Sequence, residues 1–99
     1  MRLSADWMVL ADDRILEFLN ENGPRSPTKI KAEGPIPFSR QHINNRCMKL
    51  EEYGLTQNIG NGVYTITDAG KRYLRGGLDT RRLDAELRDS SRELDSDTD

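Results

Sequence analysis

The side chains with most to offer chemically lie between Ser39 and Leu55, in SRQHINNRCMKLEEYGL. Ile43, Cys47 and Leu50 return with the period of a helix that buries one face. At about 100° per residue, Gln41, Asn45, Met48 and Glu52 fall opposite them, flanked by His42, Asn44 and Lys49. Base edges in the major groove of DNA ask for such groups: arginine bidentate to guanine, asparagine or glutamine bidentate to adenine, with lysines and backbone amides held for phosphate.

A merely solvated outer face is the ordinary reason for polar residues on an amphipathic helix. Such faces favour Glu and Lys, whereas His42, Asn44 and Asn45 are poor helix formers kept inside this one. The anions Glu51 and Glu52 come only at its C-terminal end, where the helix would leave the DNA.

Other chemistries find little support. His42 has no second metal ligand near it in sequence, and Cys47 on the apolar face reads as a small core residue with no disulfide partner. There is no nucleophile–base pair and no glycine-rich phosphate cradle, so neither an enzyme nor a cofactor or metal is expected.

The formal net charge of −2 is unpromising for a phosphate binder, but the charges are sorted along the chain. Pro24 to Lys49 holds six cations and one anion, a net of +5. Thr80 to Asp99 holds four arginines and seven acids, a net of −3. At 99 residues the chain has the length of one domain. No apolar run approaches the roughly 18 residues of a membrane span, and Asp6 interrupts the start where a signal peptide would stay apolar. The expectation is a soluble, cytoplasmic protein.

The elements that must position this helix can be read from caps and stops. ADDRILEFLNENG carries the stripe Ile15, Leu16, Phe18, Leu19, with Asp12 and Asp13 suited to a helix N-terminus and Gly23-Pro24 ending it. Ser26 caps a second helix over Pro27 to Glu33, and Gly34 closes it. Pro35 and Pro37 break the chain before Ser39 caps the third helix, which runs to Tyr53 and stops at Gly54. LTQNI, GNG and VYTI read as a β-hairpin whose Asn61-Gly62 turn supplies positive φ. Thr67 opens a fourth helix that turns Tyr73 and Leu74 inward and ends at Gly76-Gly77.

Leu78, Leu83 and Leu87 form a thin stripe for an accessory helix over residues 79–90, and residues 91–99 have almost nothing to bury. The sum is a mainly α fold with a small β-hairpin. Three helices, a two-stranded wing and C-terminal helices make a winged helix-turn-helix, with the DNA-binding domain over 1–78.

RILEFL, SPTKIKAEG, SRQHINNRCMKLEEYGL and NGVYTITDAGKRYLRGGLD together resemble the small winged-helix regulators of halophilic archaea. That group includes a repressor from a haloarchaeal phage and is distantly similar to the MarR and PadR groups. The similarity spans roughly residues 7 to 80, most of a small domain. Its most specific pieces are Arg46, Leu50 and Tyr53-Gly54-Leu55, and the NGVYTIT stretch followed by Ala69-Gly70. The resemblance implies DNA binding through the third helix and an accessory helix that helps dimerisation. Ten Asp, eleven Arg and only four Lys fit a halophilic source. Two departures stand out. Thr56 follows Leu55 where such regulators often continue with an apolar residue, which predicts a short first strand, and the wing has no Lys or Arg.

Base contacts are accordingly expected from Arg40, Gln41, Asn44 and Asn45, and phosphate contacts from Ser26, Thr28, Lys29, Ser39, His42, Arg46, Lys49 and Asn61. Trp7, Met8, Leu78, Leu83 and Leu87 are the candidates for a homodimer seam, although Trp7 and Met8 also suit packing over their own core. The partner is double-stranded DNA, and the protein a transcription regulator acting as a repressor. The competing reading is a winged helix used as a protein-interaction module, since fold does not fix function. Cations of the +5 segment gathered around Gln41 and Asn45 favour DNA; cations paired with acids favour interaction.

Overall fold

The computed structural model of the protein describes residues 2, 5, 8–34 and 36–77. In chain order these form α1 (Leu10–Asn22), α2 (Pro27–Glu33), α3 (Arg40–Glu52), β1 (Thr56–Asn58), β2 (Tyr64–Ile66) and α4 (Asp68–Leu74). Three helices followed by a two-stranded antiparallel hairpin and a further helix is the winged helix-turn-helix expected from the sequence. The predicted accessory helix, the acidic tail, and Trp7, Leu78, Leu83 and Leu87 lie outside the described residues.

Short polar side chains set where the helices begin. Ser26 Oγ accepts the Lys29 N–H at 3.2 Å, Ser39 Oγ accepts the His42 N–H at 3.1 Å, and Thr67 Oγ1 accepts the Gly70 N–H at 3.1 Å. Each satisfies one of the amides a helix start leaves without an intrahelical partner. Helix α1 begins differently, at Val9, whose backbone N–H donates to the Asp12 carboxylate at 3.0 Å. Tyr53 then ends α3, and Gly54 at φ 80° turns the chain into β1.

The hairpin pairs Thr56 with Ile66, Gln57 with Thr65 and Asn58 with Tyr64. Its turn holds Asn61 at φ 54° and Gly62 at φ 72°, the positive φ expected of that dipeptide. The first strand is short, as expected, and begins at Thr56. Thr56 is buried in the strand because its hydroxyl donates to the Cys47 carbonyl at 3.1 Å. Arg25 adds an isolated antiparallel bridge to Tyr64, through N–H to carbonyl bonds of 3.0 and 2.9 Å, so the α1–α2 connection extends the sheet.

Ile15, Leu16, Leu19, Ile30, Ile43, Cys47, Leu50, Leu55 and Tyr73 form the centre of a single core, closed by Tyr64 and Ile66 of the hairpin. Helices α2 and α3 pack on one another and α1 packs on both α3 and α4. The Tyr73 hydroxyl donates to Asp13 at 2.6 Å, and Arg2 reaches both Glu17 at 2.6 Å and the Leu74 carbonyl at 3.1 Å. Those contacts hold α4 and the chain start on α1. They leave the outer face of α3 clear of other described elements.

Candidate nucleic-acid interface

Helix α3 buries Ile43, Cys47 and Leu50 completely, as its periodicity requires. Gln41, Asn45, Met48 and Glu52 are exposed on the other side, with His42, Asn44 and Lys49 half-buried along its margins, and Arg40 is exposed at the first position of the helix, on the Ile43 and Cys47 side. All four residues expected to contact bases therefore lie on one element and reach solvent. Gln41 Nε2 donates to Asn45 Oδ1 at 3.1 Å, so these two amides are held side by side on adjacent turns. Asn44 Nδ2 lies 3.7 Å from the Met48 sulfur.

The residues expected at phosphate are spread over three elements. Ser26 and Ser39 spend a lone pair on capping α2 and α3, which leaves each hydroxyl hydrogen to donate. Thr28 and Lys29 are exposed in the first turn of α2, and Asn61 is exposed at the wing tip. The His42 ring tilts against Phe38, with centroids 5.2 Å apart. Lys49 Nζ lies 5.2 Å from the Tyr53 ring centroid and 3.9 Å from the Glu52 carboxylate.

Arg46 departs from the sequence expectation of a cation offered to phosphate. Its Nε donates to Asp12 Oδ1 at 2.8 Å and its Nη2 to Asp12 Oδ2 at 2.7 Å. The Asp12 side chain is fully buried and that of Arg46 is 18% exposed. Hydrogen bonding to this carboxylate raises the guanidinium pKa further above its ordinary value. Asp12 stands in the first turn of α1, as its charge suits, and is buried there, accepting from both the Val9 N–H and Arg46.

The +5 segment is thus divided. Arg25 pairs with Glu33 at 3.0 Å, Arg46 with Asp12, and Lys49 loosely with Glu52. Lys29, Lys31 and Arg40 are exposed and have no ion-pair partner among the described residues. Met8, proposed for a seam, is half-buried and packs against the core. Met48 received no role from sequence reasoning; its signal was a large apolar side chain on an otherwise polar face. No helix among the described residues is long and apolar enough to cross a membrane.

Relatives with the same architecture carry the comparison further. Residues 1–86 match the winged helix-turn-helix phage repressor family. The repressor protein of Halobacterium phage phiH is 33% identical over 91 residues, covering 85% of this chain and 98% of the phage protein. The crystal structure of the PhiH1 repressor-like protein from Haloarcula marismortui superposes with a TM-score of 0.80 at 40% identity, covering 83% of this chain and 93% of that one. With a family match over most of its length, a relative above 30% identity and the same fold, the chain belongs to the winged helix-turn-helix phage repressor family.

Proposed function

We propose that the protein is a sequence-specific repressor that binds double-stranded DNA as a cytoplasmic homodimer, with α3 in the major groove. The observation that carries this reading is the outer face of α3, where Gln41 and Asn45 are exposed opposite a fully buried apolar face, with Arg40 exposed where the helix begins. Side chains of these types match guanine and adenine edges. The phage phiH repressor and the repressor-like Haloarcula protein among its relatives support the same reading.

Arg40, Gln41, Asn44 and Asn45 read bases. Ser26, Thr28, Lys29, Ser39, His42, Lys49 and Asn61 hold the phosphates on either side. Arg46 acts mainly through Asp12, fixing α3 against α1, rather than as a free phosphate ligand. A single short helix reads only a few base pairs, and two-fold symmetry doubles that information without a second gene.

The test begins with selection of duplexes from a random pool, followed by binding measurements on the enriched site and on random DNA. Gln41→Ala or Asn45→Ala should cost about 1 to 3 kcal/mol on the enriched site and little on random DNA. Lys29→Ala should weaken both alike and flatten the salt dependence. Failure to enrich any sequence would favour the protein-interaction reading, and equal losses on both DNAs for every variant would remove the base-reading roles.

A further inference from the structure

Four large apolar side chains are exposed among the described residues: Val9 and Leu10 where α1 begins, Ile59 beside the wing turn, and Met48. Only Met48 stands on α3, and it is 54% exposed. It follows Gln41 by seven positions, Asn44 by four and Asn45 by three, so the four side chains line one strip of the helix. The contact from Asn44 Nδ2 to the Met48 sulfur, at 3.7 Å, and the Gln41–Asn45 hydrogen bond run along that strip.

A thioether on a polar face is wasted in water, because its methylene and methyl groups gain nothing from solvent. The major groove supplies one apolar group, the 5-methyl of thymine, and it lies in the same base pair as the adenine edge that Asn and Gln bind. Amides and a thioether on one strip therefore match the two halves of an A·T pair. A guanine-reading strip would place a cation at this position, and the next exposed residue along the same strip, Glu52, four positions on, is an anion. Methionine also adapts its three side-chain torsions to the position of a methyl group without demanding a fixed geometry.

Building on α3 lying in the groove, we propose that Met48 is a specificity-determining residue that packs on a thymine 5-methyl group, so that Gln41, Asn44, Asn45 and Met48 together select A·T pairs. The contact removes apolar surface from water on both partners and carries no charge. It therefore persists at ionic strengths that screen phosphate attraction, since the Debye length is about 3 Å at 1 M salt.

The experiment uses the full chain and a duplex enriched from a random pool, resynthesised with deoxyuridine in place of each thymine in turn. That exchange deletes one methyl group and keeps every hydrogen-bonding atom. At one or two positions per half-site the native protein should bind the deoxyuridine duplex about three- to five-fold more weakly. Met48→Ala should bind the thymine and deoxyuridine duplexes equally, and Met48→Leu should restore the difference. Because Met48 lies outside the core, these substitutions leave the fold intact.

An enriched site at which no deoxyuridine exchange matters overturns the proposal while leaving DNA reading by α3 in place. So does an exchange penalty of the same size in the native protein and in Met48→Ala, which would mean that DNA stiffness or another side chain senses the methyl group. Enrichment of no sequence at all overturns both this proposal and the function on which it rests.

Discussion

Asp12 and Arg46, 34 residues apart in the chain, meet as a bidentate ion pair with oxygen–nitrogen distances of 2.7 and 2.8 Å, and the carboxylate is completely buried. The pair joins α1 to the helix proposed to read DNA. A paired fork fixes direction as well as distance, so it orients α3 about its own axis more firmly than apolar packing does.

Removing one partner strands the other. Arg46→Ala leaves the buried Asp12 carboxylate without its guanidinium and should cost about 3 kcal/mol of stability in urea unfolding. Arg46→Lys should recover only part of this, since an ammonium cannot span both oxygens. Replacing both residues with apolar ones, Asp12→Leu with Arg46→Met, should be much less harmful than either single change. A single Arg46→Ala that leaves stability untouched but weakens DNA binding would return Arg46 to the phosphate-contacting role read from sequence.

Cys47 has its thiol pushed up to about 12 from an ordinary 9.0, first by burial and then by the negative charge of Asp12. The folded protein therefore keeps this proton at pH values where the unfolded chain has released it. Stability from this source is fully present below pH 9 and falls as pH rises towards 12, because over that window the native state binds more protons than the unfolded state. Urea unfolding of the native protein and of Cys47→Ala between pH 8 and about 11 should show the extra decline only in the former. Thiol reagents at neutral pH should label Cys47 only when the fold opens.

Gly70, inside α4, offers a test in which helix propensity and packing disagree. Alanine is favoured over glycine by about 1 kcal/mol in an exposed helix interior. Here a Cβ would press on the Leu55 carbonyl and come within 2.6 Å of Ile66 Cγ1. Gly70→Ala should therefore lower the unfolding midpoint, with a net loss of about 1 to 3 kcal/mol. A stabilised variant would mean that α4 can move away from the hairpin at little cost.

Much of this architecture was open to sequence reasoning because its signals are local. Ser26, Ser39 and Thr67 cap the helices that they precede in the chain, and the stripe Ile43, Cys47, Leu50 gives the inner face of α3 by period alone. The contacts that escaped it are long-range or run against residue type. Nothing near Asp12 in the chain points to Arg46, and the Arg25–Tyr64 bridge is one residue pair with no alternation to announce it. Thr56, where such regulators often continue with an apolar residue, is buried all the same, because the Cys47 carbonyl it binds becomes its neighbour only after α3 and β1 pack. The outer face of α3 was legible as a surface, whereas the division of its cations between structure and solvent was not.

The last prediction concerns the proposed homodimer, whose candidate apolar residues lie early and late in the sequence. Val9 and Leu10 are 45% and 66% exposed where α1 begins. Met8 packs against the core, so the apolar surface that the proposed seam would use on this side is that of Val9 and Leu10. Leu78, Leu83 and Leu87 supply a second thin stripe in the sequence. Neither group is wide enough to hold two chains together by itself, but the two joined across a two-fold axis would bury a continuous seam. Light scattering should give a dimer for the full chain and a monomer for a chain ending at Gly77. Leu10→Glu in the full chain should also weaken the dimer, and because Leu10 is exposed it should do so without unfolding the monomer. Both variants should lose affinity for a palindromic site far more than for a single half-site, since only the dimer engages two half-sites at once. A full chain that is monomeric, or a truncated one that stays dimeric and binds the palindrome unchanged, would remove the C-terminal leucines from the mechanism.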